Sequence, residues 1–458
     1  MSHQKESIAS IRWFGRVPGG WVTYRLKQVT ISVTSGVSVN ASDAGAEPHQ
    51  FGVLKTSAVC GGKFFPEENK TVWESEADRL ACPVTRNSLI MSRMNTPSLV
   101  GESGYVAQDF PTLFLPDRLW KLVFDNETVF TPYISHVLSS SGARQALSCM
   151  ATGTSPSMKN LSIEEMGNLP VPLPALDEQK LIAAYLDRET ARIDALIAAK
   201  ERMLALLEEK RAALISRVVT RGLDPDAPLK PSGQEWLGEI PAHWGLQRLK
   251  QLAEVRGGLT LGKQYSGDLL EYPYLRVANV QDGYLDLDGV LTVEVPASEA
   301  ASNLLAKGDV LMNEGGDIDK LGRGCVWRDE IAPCLHQNHV FAVRPHTVDA
   351  DWLALWTSTL EAKRYFESRA KRSTNLASIS GSNIKELPVP LPPIEEQLAI
   401  RQFLDDRLHR LEKVRSELRH SLRLLTERRA ALITAAVTGQ IPLDEMTAHR
   451  STTAAISA

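Results

Sequence analysis

The polar side chains between Arg276 and Asn338 are the part of the sequence best suited to chemistry. A glycine-rich stretch at 312–327, MNEGGDIDKLGRGCVW, carries lysine and arginine between two strand-like pieces. Lysine and arginine bind phosphates or guanine edges, and asparagine can bond adenine through two hydrogen bonds. Seven positions carry residue types suited to such contacts and are therefore candidates if the chain binds DNA: Arg276, Asn279, Asn313, Lys320, Arg323, Gln337 and Asn338.

The first half of the chain offers three candidates of the same kind, Arg93, Asn95 and Lys159. For each candidate in either half, the alternative is a turn residue or a solvated charge.

A second possible chemistry is a zinc site or an HNH-like nuclease, suggested by Cys325, Cys334 and the run from His336 to His339. Zinc sites pair closely spaced cysteines and histidines, whereas these two cysteines lie nine residues apart. The sequence shows no second ligand cluster or acidic metal set beside them, so we expect no metal. Metal-dependent DNA cutting by the chain alone, abolished by His339→Ala, would support the nuclease alternative.

Other catalytic motifs are missing from the sequence. The glycines of GGDIDKLGRG match neither a phosphate-binding loop nor a dinucleotide fingerprint. There is also no glycine-rich methyl-donor motif followed by an N/D-PP-[YF] tetrad, which argues against a methyltransferase.

Composition limits the class of protein. With 458 residues, 43% hydrophobic and 23% charged, the chain is typical of a soluble globular protein of about three domains. The sequence has neither a membrane-length apolar run nor a signal peptide, and its five scattered cysteines indicate a reducing cytoplasm. A net charge of −4 means that nucleic acid would be bound through local patches or with a partner's help.

One long segment occurs twice, at 169–220 and 387–438, and the two copies align without a gap. Each copy opens with LPVPLP, which must be extended because proline lacks a backbone donor and restricts its predecessor. Acidic residues then begin a helix that contains no glycine or proline and is roughly 60 Å long.

Leucines in the second copy recur every seven residues, and the first copy keeps the same register with Lys200 as its polar interruption. Sustained heptads with charged flanks predict a coiled coil, and two matching seams in one chain would pack on each other. The alternative is a pair of ordinary core helices. The predicted seam consists of Leu186, Ile193, Leu207, Leu214, Leu404, Leu411, Leu418, Leu425 and Leu432.

The duplication extends beyond the helix. WFGRVPGGW at 13–21 and WLGEIPAHW at 236–244 are each followed by RLKQ, and we interpret this aromatic motif as a packing device that seats each repeat on its neighbour. Two variable bodies, 29–168 and 252–386, separate the aromatic motifs from the long helices; within them the patterns predict helices at 133–149 and 352–369 and a strand at 274–280. These patterns predict two domains, at 1–168 and 236–386, each followed by a proline motif and helix, at 169–222 and 387–440. A linker is predicted at 223–235 and a disordered tail at 441–458.

This order of motifs, given twice, resembles the specificity subunit of type I restriction-modification enzymes. The resemblance covers residues 8–440 and is most specific at LPVPLPPIEEQ, 387–397. It implies an α+β fold, with two tandem α/β-type target recognition domains joined by an antiparallel coiled coil of two long helices.

The resemblance also implies a function. Each variable body would read one half of a split site in double-stranded DNA, and the helices would space the bodies and dock two methyltransferase subunits. The chain itself would be non-catalytic and would hold no cofactor; S-adenosylmethionine, ATP and Mg would belong to partner subunits. Two alternatives remain open: a methyltransferase partner without the restriction/translocase subunit, and a coiled-coil scaffold that binds no DNA.

Overall fold

The structure is a computed structural model that describes residues 8–155, 157–373 and 376–447. The chain folds into two compact units, the first comprising Met1–Lys200 with His420–Ala458 and the second Glu201–Arg419. Each unit therefore contains one variable body together with a segment of each long helix.

In the first repeat the strands are short and the helices before the long one are shorter than three turns. The strands are β1 (Ile8–Ile11), β2 (Gly15–Pro18), β3 (Val22–Arg25), β4 (Thr30–Ser35), β5 (Gly52–Leu54), β6 (Val59–Cys60), β7 (Lys63–Phe64), β8 (Asn69–Thr71), β9 (Pro83–Val84), β10 (Ser88–Ser92), β11 (Met94–Asn95), β12 (Ser103–Val106), β13 (Phe110–Phe114), β14 (Leu119–Phe124), β15 (Thr152–Ser155), β16 (Met158–Asn160) and β17 (Pro170–Leu173). The helices are α1 (Leu26–Val29), α2 (Thr131–Ser139), α3 (Ser141–Met150), α4 (Ile163–Gly167) and the long α5 (Leu176–Arg221).

The second repeat follows the same general plan. Its strands are β18 (Leu229–Pro231), β19 (Glu239–Pro241), β20 (Gly245–Arg248), β21 (Ala253–Arg256), β22 (Leu270–Leu275), β23 (Leu291–Val295), β24 (Val310–Asn313), β25 (Gly315–Gly316), β26 (Gly324–Val326), β27 (Leu335–His336), β28 (Val340–Pro345), β29 (Lys371–Arg372), β30 (Ala377–Ser378) and β31 (Pro388–Leu391). Its helices are α6 (Ala297–Asn303), α7 (Ala350–Thr357), α8 (Leu360–Arg369), α9 (Gly381–Lys385) and the long α10 (Ile394–Val437).

The first body is built on an antiparallel sheet of order β12-β10-β14-β4 and a second sheet of order β8-β5-β13-β9. Every residue of β10 is buried, because this strand lies between two others and has core residues on both faces. The second body has the corresponding sheet β21-β28-β24-β26, and here β24 is buried throughout. The α+β fold class is confirmed.

Each LPVPLP segment is extended as predicted and pairs with the strand that follows the aromatic motif. β17 is antiparallel to β3, with Pro170 opposite Arg25, and β31 is antiparallel to β20, with Pro388 opposite Arg248. Both sheets have two strands, which suits prolines because one side of each strand needs no donor for a ladder.

The long helices contain 46 and 44 residues, so α5 is roughly 69 Å long. In the first unit Asp194 on α5 binds Arg429 on α10 at 2.8 Å, and in the second Glu208 contacts Arg415 at 3.5 Å. Also in the second unit, Gly222, which follows the last residue of α5, faces Glu396 near the start of α10. Residue numbers thus rise on one helix as they fall on the other, and the helix segments are antiparallel.

The predicted seam residues face inward to different extents. Leu186, Ile193, Leu404 and Leu418 are buried, and the other five, Leu207, Leu214, Leu411, Leu425 and Leu432, are half-buried, as is Lys200.

The carboxyl-terminal end of each long helix packs on an aromatic motif. Gly439, with φ +69°, follows α10 and lies so close to Pro18 that a Cβ atom would be 2.5 Å from the proline ring. Gly222, with φ +76°, follows α5 and packs on Pro241 and Trp244. The aromatic motif of each repeat thus packs on the end of the helix that belongs to the other repeat, within one compact unit.

Several local predictions need correction. The helices predicted at 133–149 and 352–369 are each broken in two, because Ser140 and Thr359 accept backbone N–H groups and begin new helices. The strand predicted at 274–280 ends at Leu275, where a turn begins. The predicted linker contains β18, which pairs with β19.

The predicted tail also differs from expectation at its start, since Met446 is buried in the first unit's core; residues 448–458 lie outside the described residues. All five cysteines are free thiols. Among the described residues, no helix is long and apolar enough to cross a bilayer.

Candidate nucleic-acid interface

The two bodies share one backbone feature, which we call the corner. It consists of the residue that follows the central strand of the main sheet (β10 or β24) and the residue that precedes the neighbouring strand (β14 or β28). At this point the chain leads into a small second sheet. In the first body the Arg93 N–H donates to the Arg118 carbonyl at 3.0 Å, and the Arg93 carbonyl accepts from Leu161 at 2.8 Å. In the second body the Glu314 N–H donates to the His339 carbonyl at 2.9 Å, and the Glu314 carbonyl accepts from Ile379 at 2.9 Å. Arg93 therefore corresponds to Glu314.

By the same hydrogen bonds Arg118 corresponds to His339. We call Arg93 with Arg118 the first corner pair, and Glu314 with His339 the second corner pair.

A β-hairpin lies beside each corner and completes the small sheet. The first hairpin, 152–160, forms the sheet β11-β16-β15, and the second hairpin, 371–378, forms β25-β30-β29. Lys159 is opposite Asn95 in the first sheet, and Ala377 is opposite Gly316 in the second. The structure thus brings the predicted Arg93, Asn95 and Lys159 to one corner.

The second corner opens onto a cavity of about 550 Å³. His339 Nδ1 lies 2.7 Å from Glu314 Oε2, and the histidine side chain is 56% exposed. The cavity is lined by Val277, Glu314, Gly315, Gly316, His339, Lys371, Arg372, Ser373, Leu376, Ala377 and Ser378.

The segment that leads from α8 into the second hairpin is strongly basic. The stretch 363–372, KRYFESRAKR, has five basic residues against one acidic residue. Lys363 contacts Asp282 at 3.8 Å and Arg369 stacks on Tyr365, whereas Lys371 and Arg372 are exposed and form no ion pair within the described residues. Two free cations at the mouth of a cavity suit the phosphates of a nucleic-acid backbone.

The structure gives two of the predicted contact residues a positioning role. Asn313 is 2% exposed, and its Nδ2 donates to the Val280 carbonyl at 3.0 Å. Asn279 is also 2% exposed and closes its own turn by accepting from the Arg276 N–H at 2.9 Å. Both side chains are hidden behind the corner, so the expectation that they contact bases needs correction.

The remaining predicted residues of the second body are less buried than these asparagines. Arg323 is half-buried and donates to Gln281, and half-buried Arg276 donates to the Gly289 carbonyl at 3.5 Å. Lys320 is exposed and paired with Asp317. Gln337 and Asn338 are half-buried and immediately precede His339 of the corner pair.

In the first corner pair, the Arg93 side chain is partly held in place by its neighbours. The Arg93 guanidinium lies 5.7 Å from the Trp120 ring and Nη1 donates to the Asp117 carbonyl at 3.5 Å. Asn95 donates to Ser92 Oγ at 3.3 Å and Lys159 is half-buried. Arg118 is exposed and lines a neighbouring cavity of about 490 Å³ with Lys55 and Lys70.

Sequence reasoning missed Arg118, Lys371 and Arg372. The signal for the last two was present, since a basic run followed by serine and threonine ends the predicted helix at 352–369. Arg118 had no such signal, because only strand pairing places it beside Arg93.

The cysteines and histidines of the second body do not form a common site. Burial raises the pKa of both Cys325 and Cys334 to about 12, so both are neutral thiols at ordinary pH. His336 is fully buried with Nδ1 2.7 Å from the Val340 carbonyl, and burial lowers its pKa. Among the described residues, no group of three or more potential ligands could hold a metal ion.

Comparisons with known proteins agree with this architecture. A family model described as the type I restriction modification DNA specificity domain matches residues 18–204 and 241–418. The specificity subunit of the type I restriction enzyme EcoKI from Escherichia coli K12 is 23% identical over 436 residues, 93% of this chain and 90% of that protein. The StySPI specificity subunit from Salmonella potsdam is 21% identical over the same shares of the two chains.

A solved structure concerned with complex assembly and conformational transition of the type I R-M system has a similar fold. Its chain aligns with a TM-score of 0.66 at 16% identity, over 93% of this chain and 99% of that one. Since the family model matches both repeats, the chain belongs to the family of type I restriction-modification DNA specificity subunits and carries two copies of the specificity domain.

Proposed function

We propose that this chain reads a bipartite site in double-stranded DNA, one half through each variable body, and docks two methyltransferase subunits without catalysing a reaction itself. The observation that carries this proposal is the shared corner: the backbone is the same in both bodies, but its side chains differ. Two readers with one architecture and different side chains are expected to select two different short sequences.

The distribution of charge supports binding to DNA through local patches. The whole chain has a net charge of −4, yet Lys371 and Arg372 lie exposed together beside the second corner. A two-stranded β-ribbon fits the major groove, so a hairpin can bring the corner to base edges while its cations contact phosphates.

Apolar side chains on the long helices support docking of protein partners. On α5, Leu196, Met203 and Leu206 are 47%, 49% and 56% exposed, and on α10 Val414 and Leu424 are 40% and 49% exposed. Large side chains exposed along a helix are typical of an interaction surface. The duplicated helices offer two similar surfaces, which fits two copies of one partner.

Catalysis belongs to the partners in this proposal. S-adenosylmethionine would bind the methyltransferase subunits, and ATP and Mg a restriction/translocase subunit that joins through them. In this chain, His336 is buried and bonded to the backbone, which argues against a catalytic role for that residue in the nuclease alternative centred on His336–His339.

An exchange of the first body tests the proposal. Residues 29–168 would be replaced by the corresponding body of another specificity subunit, and the assembled methyltransferase complex would be assayed for the sites that it methylates. We expect one half of the recognised sequence to change while the other half stays. A change in both halves would contradict independent readers, and absence of sequence-specific DNA binding by the unaltered complex would favour the scaffold alternative.

A further inference from the structure

The two corner pairs occupy the same backbone position but have opposite hydrogen-bonding character. Arginine presents only donors, whereas an ionised glutamate presents only acceptors. The first corner pair is thus two donor side chains, and the second is an acceptor beside a histidine. Base edges in the major groove differ in this same respect, since guanine offers two acceptors and cytosine and adenine offer an amino group.

A carboxylate at the second corner is unfavourable for binding DNA unless it makes a specific contact, because it repels phosphates. Glu314 nevertheless lines the same cavity as Lys371 and Arg372 and is 27% exposed. Its hydrogen bond to His339 uses Oε2 and does not involve either hairpin cation. The hairpin cations therefore remain available for phosphates, and the carboxylate is placed to accept from a base.

The first body has the reverse arrangement. Its hairpin, at 152–160, carries a single charged residue, Lys159, whereas its corner carries Arg93 and Arg118. The Arg93 side chain is oriented by Trp120 and the Asp117 carbonyl, so its guanidinium is held at the corner. A positioned arginine is the side chain that most often recognises guanine in the major groove.

We propose that the corner pairs determine base specificity: Arg93 with Arg118 selects a guanine in one half-site, and Glu314 with His339 selects a base with a major-groove amino group, cytosine or adenine, in the other. This inference rests on the proposed function, that each body reads one half of the DNA site. The hairpin cations of the second body then supply affinity without selecting a base.

The test uses the complete complex with its methyltransferase subunits and a panel of DNA duplexes, each with one base pair of the recognised site substituted. Competition binding at fixed salt compares the unaltered chain with Glu314→Met, which removes both acceptor oxygens at similar side-chain length, and with a matched control, Glu294→Met, which removes an exposed carboxylate on β23 outside the cavity lining. For Glu314→Met, discrimination at one base pair of the second half-site should fall by about 5- to 100-fold. The control should keep full discrimination.

The reciprocal variant Arg118→Gln should relax one base pair in the first half-site and leave the second half-site unchanged. Glu314→Asp keeps a carboxylate and should retain a preference for the same base, which separates a missing acceptor from a disturbed fold. Unchanged discrimination for Glu314→Met at every base pair, or altered discrimination in both half-sites, would overturn the inference. Failure of the unaltered complex to select any sequence would instead overturn the proposed function.

Discussion

The two bodies place their charges on different elements of the same architecture. The first has two arginines at its corner and a nearly uncharged hairpin, whereas the second has a glutamate and a histidine at its corner and a basic hairpin. The main-chain hydrogen bonds of the corner are the same in both, with Arg93 and Glu314 each bonded to the facing strand and to the hairpin segment. The repeat has therefore kept the backbone that presents side chains and changed the side chains presented.

The cores of the bodies differ at a corresponding point. Asp309 and Arg344 face each other across β24 and β28 as a paired carboxylate and guanidinium, with Nε–Oδ1 2.7 Å. Ser88 and Val123 occupy the equivalent positions across β10 and β14. By contrast, the long helices keep apolar residues at their corresponding seam positions, apart from Lys200 where the second repeat has Leu418.

The largest effect on stability is expected at Leu418, the seam position where the first repeat has Lys200. Leu418→Asp should destabilise the chain by about 3–5 kcal/mol, because an unpaired charge would be buried at a position that is 8% exposed. Leu418→Lys, which copies the first repeat, should cost clearly less because a lysine stem can pack while its ammonium reaches water. Urea unfolding of the full chain measures both. Equal, small decreases in stability would argue against a packed seam at this residue.

The next largest effect on stability is expected from loss of the Asp309–Arg344 ion pair in the second body. Arg344→Ala should cost about 3 kcal/mol, because it leaves the Asp309 carboxylate, which is 0% exposed, without its cation. Hydrogen exchange should speed up in β24 and β28 and stay unchanged in β10 and β14 of the same molecule. Installing the first body's residues, Asp309→Ser with Arg344→Val, should restore stability to within about 1 kcal/mol. A double variant as unstable as the single one would show that the pair is not the relevant difference.

The two hairpins should differ moderately in how much they contribute to the salt dependence of DNA binding. Lys371→Ala with Arg372→Ala should reduce the slope of log binding constant against log salt by roughly 2, because each substitution leaves one phosphate without its cation. Lys159→Ala in the first hairpin should change the slope by about 1 at most. DNA binding by the assembled complex between about 50 and 200 mM salt provides the measurement. Equal slopes for all variants would show that phosphates are bound elsewhere on the chain.

The smallest expected effect is a difference in thiol reactivity between the two bodies. Cys60 and Cys149 of the first body are exposed, whereas Cys325 and Cys334 of the second are buried with pKa values raised to about 12 by desolvation. A thiol reagent at pH 8 should therefore label the first two rapidly and the last two only after unfolding. Mass spectrometry of the labelled peptides would show this, and rapid labelling of Cys325 in the folded chain would contradict its burial.

Sequence patterns predicted the frame better than the site. Heptads, prolines and an ungapped repeat are local signals, so the long helices and the extended LPVPLP segments could be predicted, whereas the α+β class was implied by the family resemblance. Helix breaks at Ser140 and Thr359 were missed because a capping serine or threonine is also acceptable inside a helix. Residue types alone nominated Asn279 and Asn313, yet a turn buries the first and the sheet buries the second.

The corner pairs were beyond sequence reasoning for a physical reason. Arg93 and Arg118 are far apart in the sequence and meet only because β10 and β14 are neighbours in one sheet. Their equivalence to Glu314 and His339 depends on matched backbone hydrogen bonds, which residue identities do not encode.

Two different readers in one chain are tested most directly by mapping methylated adenines across a genome, with and without this chain, while its methyltransferase subunits are expressed. We predict a split motif, with two unlike halves around an unread gap, that disappears when the chain is deleted. An unchanged methylation pattern in the presence of active partner subunits would contradict DNA reading by this chain.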